Sequence, residues 1–151
     1  IAGGCVLACA CDYRLMAMGK GMIGVPEVVV DLPFPLIALE ILRDVLPACY
    51  FQEVLSRGLI YPAENALERG IIDELIDPTK LIDEAYMLAK NFADIPAETF
   101  RLTKKQLRRH VMERWEREHH QLDRKVLRAW ASSLVQELIR DYLERTLGRS
   151  K

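Results

Sequence analysis

Apolar residues crowd residues 4–11 at helical spacing, and the pattern then changes: Asp12-Tyr13-Arg14-Leu15-Met16-Ala17 alternates polar and apolar positions and predicts a short strand. Gly19-Lys20-Gly21 is a turn, and Met22-Ile23 resume an extended run that ends at Pro26-Glu27. Val28-Val29-Val30 and Pro33-Phe34-Pro35 predict extended or loop backbone, because two prolines this close exclude a helix. Apolar positions 36, 39, 42 and 46 make the next stretch an amphipathic helix, and another follows over 48–57 with Gly58 as its stop. Pro62 to Gly70 reads as a short helix with proline at its first turn and glycine past its end; 71–76 reads as a strand. From Thr79 onward the pattern is wholly helical, over roughly 80–92, 96–109, 112–132 and 133–147, with Pro96 marking one break. No internal repeat or low-complexity segment interrupts it. The expectation is an α/β chain that is predominantly helical.

Composition narrows this picture. With 151 residues, half of them apolar, the chain can bury one sizeable core, which means one domain or a piece of one. A net charge of -1 gives no argument for nucleic acid or an anionic membrane as a partner. The charge is unevenly spread: residues 1–100 carry 7 Lys/Arg against 15 Asp/Glu, and residues 101–128 carry 10 against 4. The default for such a basic run is a solvated helix face. Cys5, Cys9, Cys11 and Cys49 match neither a disulfide framework nor paired metal ligands, and the first three read as small apolar residues in a reducing compartment. No apolar run is long enough for a membrane span, and the opening lacks the basic lead-in of a signal peptide, so a cytoplasmic or mitochondrial-matrix setting is expected, not a secreted one. Ile1 stands in the middle of an apolar pattern, as if an upstream part of the core were missing.

Two features carry candidate chemistry. Gly3 and Gly4 open an apolar helix, which leaves backbone N–H groups free where a ligand oxygen can approach; close helix packing is the alternative reason for the pair. Glu27 sits between Pro26 and three valines, with no other charge from Met22 until Asp31. In such surroundings its pKa would rise and suit a general base or acid near neutral pH; the alternative is a strand-end carboxylate facing water. Adjacent His119 and His120 diverge on a helix, and no metal site is expected. Trp115 and Trp130 fit core or subunit contacts better than a base-stacking stripe.

The runs Ala2-Gly3-Gly4-Cys5-Val6-Leu7-Ala8, Cys11-Asp12-Tyr13-Arg14, Ile23-Gly24-Val25-Pro26-Glu27 and Gly58 to Gly70, together with Leu102-Thr103-Lys104, resemble the crotonase (enoyl-CoA hydratase/isomerase) family over nearly the whole chain. The resemblance implies the C-terminal part of a ClpP/crotonase-like ββα superhelix. Residues 1–95 would be core and 96–151 a helical trimerisation region, forming a homotrimer or a dimer of trimers. It implies an acyl-CoA substrate, with coenzyme A as part of that substrate and no separate cofactor. Gly3, with Gly4 as its neighbour, would give one N–H of an oxyanion hole, the other coming from an upstream strand-loop. Hydratases of the family pair two glutamates; Glu27 matches one of them, and Val6 stands at the other. One carboxylate suits a double-bond shift, as in the mitochondrial Δ3,Δ2-enoyl-CoA isomerase branch, which the terminal Tyr142-Leu143-Glu144-Arg145 also resembles. Val6 is expected at the acyl pocket, Phe34 either there or packed in the core, and Lys104 near the phosphates of coenzyme A. Asp31 is a possible second carboxylate, and a surface or capping role is its ordinary explanation. The competing readings are a hydratase, and a truncated relative that only oligomerises. The 151 residues alone are expected to be inactive, so turnover by them that Glu27→Gln abolished would overturn that expectation.

Overall fold

The computed structural model describes residues 1–147, so the last four positions of the expected trimerisation region lie outside the described residues. In chain order the elements are α1 (Gly3–Cys9), β1 (Leu15–Ala17), β2 (Met22–Gly24), a 3-10 turn (Glu27–Val30), α2 (Leu36–Val45), α3 (Ala48–Arg57), β3 (Ile60–Pro62), α4 (Ala63–Glu68), β4 (Glu74–Ile76), α5 (Leu81–Ala93), α6 (Ala97–Leu107), α7 (Arg109–Trp130) and α8 (Ser133–Leu147). The strands form two short ladders: β1 runs parallel to β4, and β2 antiparallel to β3. The main core gathers Cys5, Cys9, Val25, Leu42, Val54, Ile71 and Ile72 from α1, the β2 exit, α2, α3 and the approach to β4. A smaller second cluster joins Val30 and Leu32 to Val135, Leu138, Ile139 and Tyr142 of α8.

The helix boundaries follow the sequence signals. Gly58 closes α3 in the left-handed region at φ 56°. Pro35, Pro47, Pro62 and Pro96 stand immediately before α2, α3, α4 and α6. Two expectations change. The predicted strand over 71–76 shortens to β4, because Ile71 and Ile72 point into the core as irregular backbone while Asp73 turns to meet Arg14. The valine run after Glu27 is not extended. The Val29 N–H bonds to the Pro26 carbonyl at 2.9 Å and the Leu32 N–H to the Glu27 carbonyl at 3.0 Å, coiling the segment into one turn. β-branched residues favour extended backbone in isolation, yet this turn lies against Gly58. A Cβ there would stand only 2.8 Å from both Val28 Cγ2 and Val29 Cγ2, so tertiary contact overrides local preference.

The basic stretch is not simply a solvated face. α7 lies along α2, and its charges meet acids of the body. Arg108 reaches Asp44 at 2.6 Å and His110 reaches the other Asp44 oxygen at 2.8 Å. Arg114 pairs with Glu40, a carboxylate only 3% exposed that Arg43 also contacts at 3.2 Å. Asp123 accepts the Leu36 N–H at 2.8 Å and so satisfies a free donor at the start of α2. Removing one partner of a buried ion pair leaves a charge uncompensated. Arg114→Ala is therefore expected to lower unfolding stability by about 2 kcal/mol, a value below the fully buried range because Arg43 remains. Urea unfolding of Arg114→Ala, Glu40→Ala and the double variant checks this, and additive effects would show that the pair is not coupled.

Candidate functional site

The chain enters α1 through a strained residue. Ala2 holds φ 53° and ψ -130°, fixed by its N–H on the Gly24 carbonyl at 2.8 Å. Its own carbonyl accepts the Cys5 N–H at 2.8 Å and the Val6 N–H at 3.1 Å. The Gly4 N–H goes to the Ile1 carbonyl at 3.2 Å, whereas the Gly3 N–H has no acceptor among the described residues. Nothing described lies within 4 Å of where a Cβ would stand on Gly3 or Gly4, so no close packing among the described residues accounts for the pair.

The 3-10 turn places Glu27 beside this entry. Glu27 is 6% exposed, and its Oε2 is buried without a hydrogen-bond partner among the described residues. Burial pushes its pKa above the ordinary carboxylate value, with its own backbone N–H opposing only in part. Ala2, Pro26 and Glu27 line one side of a cavity of about 290 Å³, with Val30 and Leu32 continuing the wall. The opposite side is α8, which contributes Ile139, Tyr142, Leu143 and Thr146. A carboxyl oxygen without a partner in an apolar cavity is equipped to exchange a proton with a bound molecule, because no internal bond has to break first.

The other expected site residues are distributed differently. Val6 and Phe34 pack, half-buried, against the main core, and neither lines the cavity at Glu27. Gly4 borders a separate cavity of about 330 Å³ on the other side of α1, with Cys5, Arg14 and Met16. Asp31 is exposed and takes the left-handed position that closes the 3-10 turn, its N–H on the Glu27 carbonyl, which is a capping role. Lys104 reaches across to Asp12 at 2.6 Å and ties α6 to the segment after α1. Among the described residues no group of three side chains is arranged to hold a metal, and no helix is long and apolar enough to cross a membrane. The α8 wall was not foreseen. Its residues recur at i, i+3, i+4 and i+7, a signal that shows an apolar face but not what that face covers.

The family model described as enoyl-CoA hydratase/isomerase matches residues 1–148. The chain is 26% identical over 145 residues to the human mitochondrial enoyl-CoA delta isomerase 1, a span of 95% of this chain and 48% of that protein. It is 32% identical over 91 residues to a short-chain-enoyl-CoA hydratase of Clostridioides difficile, covering 60% of this chain and 58% of that one. The crystal structure of human mitochondrial delta3-delta2-enoyl-CoA isomerase superposes with a TM-score of 0.84 at 26% identity, over 99% of this chain and 58% of that chain. The chain thus spans about half the length of the curated relatives it matches.

The raised pKa of Glu27 has a consequence for stability that does not depend on activity. Folding raises it, so between the ordinary glutamate value and the folded value the folded state binds more protons than the unfolded state. Stability falls as pH climbs through that window and then levels off. Glu27→Gln is expected to raise the melting temperature at neutral pH, and the gain should shrink as pH falls to about 4. Thermal melts of both proteins across this range check the sign; a gain independent of pH would show that Glu27 titrates normally.

Proposed function

The chain belongs to the enoyl-CoA hydratase/isomerase family, and from that premise we propose that the protein is an enoyl-CoA isomerase that moves the double bond of a 3-enoyl-CoA to the 2-position, with Glu27 as the one group that takes and returns the proton. The observation that carries this is the buried Glu27 carboxyl, one oxygen of which has no partner among the described residues, in an apolar cavity that Ala2, the residue before Gly3, also lines. Glu27 removes a proton from C2 of the acyl group, and the electron pair moves through the thioester carbonyl to give a dienolate. The developing oxyanion rests on the Gly3 N–H and, by the family resemblance, on a second backbone N–H from a strand-loop outside these residues. Protonated Glu27 then delivers the proton to C4, leaving the double bond conjugated with the thioester and the carboxylate restored.

Isomerisation is favoured over hydration by the carboxylate inventory. Hydration needs a water held and activated by the two glutamates that hydratases of the family pair, and Val6 stands at the position of the first. Asp31, the other acid near Glu27 in sequence, is exposed at the turn's cap and does not line the cavity. The lining around Glu27 is almost entirely apolar, which disfavours an ordered water there. An acyl-CoA substrate, a mitochondrial setting such as the human relative's name states, and assembly into trimers through the helices beyond Pro96 belong to the same reading.

The test uses the protein at its naturally expressed length, with 3-enoyl-CoA and 2-enoyl-CoA supplied separately. Isomerisation of the former is expected, and Glu27→Gln should lose about a hundred- to ten-thousand-fold in kcat, the usual share of a general base. Hydration of 2-enoyl-CoA at a rate equal to isomerisation would overturn the reading in favour of a hydratase.

A further inference from the structure

We propose that α8 is the wall that measures the acyl chain, with Ile139 and Leu143 as its specificity-determining residues; the proposal rests on the reading of Glu27 as the base that works on an acyl-CoA. The cavity at Glu27 has two sides of different origin. One is the 3-10 turn and its continuation, where Glu27, Val30 and Leu32 are all buried. The other is the face of α8 that carries Ile139, Tyr142, Leu143 and Thr146. The carbons that exchange protons with Glu27 must lie against its carboxyl, so whatever continues beyond them into the cavity is the acyl chain. The pyrophosphate end of the substrate is anionic. It has no place in an apolar cavity that already holds a carboxyl without a counter-charge.

The same argument gives the wall its chemistry. Tyr142 and Thr146 carry hydroxyls, yet the cavity surface is overwhelmingly apolar, so the α8 face offers mainly hydrocarbon to its guest. Unsubstituted aliphatic chains fit this lining, and a chain bearing a hydroxyl or carboxyl would lose its hydration without gaining a partner. At about 290 Å³ the cavity lies at the small end of ligand pockets, and of its walls α8 is the one opposite Glu27, with Ile1 and Ala2 at its edge. Ile139 joins the second cluster with Val135 and Tyr142 and fixes the depth of the wall. Leu143 is 47% exposed and stands where the cavity meets solvent. Its replacement removes wall without removing core.

The experiment compares 3-hexenoyl-CoA with 3-dodecenoyl-CoA as substrates of the naturally expressed protein, of Leu143→Ala, of Ile139→Ala and of Leu143→Trp. The two alanine variants are expected to shift the ratio of kcat/KM toward the longer substrate by at least about ten-fold, and the tryptophan variant to shift it the other way, since one or two methylenes in an apolar pocket are worth roughly that much discrimination. A parallel measurement needs no turnover: calorimetric Kd values of hexanoyl-CoA and dodecanoyl-CoA for the Glu27→Gln protein, with and without Leu143→Ala, should show the same shift. Ratios unchanged within two-fold across all variants, in either measurement, would overturn the proposal. Absence of isomerisation together with a shifted binding ratio would sink the reading of Glu27 as an isomerase base and leave the α8 wall standing. Failure of both acyl-CoAs to bind would sink the wall as well.

Discussion

The carboxyl of Glu27 is buried with one oxygen unpartnered among the described residues, an unfavourable state that surrounding contacts must hold in place. Three constraints position it. Pro26 leads directly into the turn, the Glu27 carbonyl is committed to the N–H groups of Asp31 and Leu32, and Gly58 admits the two valines that follow Glu27 against α3. A Cβ at Gly58 would stand 2.8 Å from Val28 Cγ2 and Val29 Cγ2, so both side chains would have to shift. Its left-handed φ is a second, independent reason for glycine there. The turn thus stores an unfavourable environment for a carboxylate, and surrounding contacts hold it in place.

The opposite wall is positioned from much further away. α7 is held on α2 by Arg108, His110 and Arg114 against Asp44 and Glu40, and by Asp123 on the Leu36 N–H. At the far end of α7 the Trp130 indole N–H donates to the Pro33 carbonyl at 3.0 Å, two residues beyond Asp31. Gln136 of α8 donates back to the Trp130 carbonyl at 2.9 Å. The register of α8 over the Glu27 turn therefore descends from charge pairing on α2 through the length of α7. A basic stretch that would read as solvated surface is in part the fastening of the site, and Lys104 on Asp12 adds a tie from α6.

What the sequence made legible were features whose cause is local. Gly58 as a helix stop, prolines at helix starts, the amphipathic 36–46 stretch and the raised pKa of Glu27 all follow from a few neighbouring residues. The turn at 27–30 did not, because three valines favour extended backbone and only contact with a glycine twenty-eight residues after Val30 reverses that preference. Val6 and Phe34 illustrate the same limit. Their apolar character was plain, but whether an apolar side chain faces a cavity or the core depends on which element lies opposite, and here both face the core. The α8 wall was equally invisible, since its periodicity marks a buried face without naming the surface it buries.

The cavity at Glu27 is lined by two elements that are anchored differently. Glu27 belongs to a turn that packs against the main body at Gly58, while Val30 and Leu32, which follow it, pack on α8. The α8 face touches that turn through the small cluster of Val30, Leu32 and Val135, and beyond it Leu143 is half in solvent. A change at Leu143 alters the space beside the carboxyl while leaving the bonds that orient the carboxyl intact. Substitutions at Leu143 should therefore be more nearly additive with changes at Glu27 than substitutions at Ile139, which packs in one cluster with Val30 and Leu32.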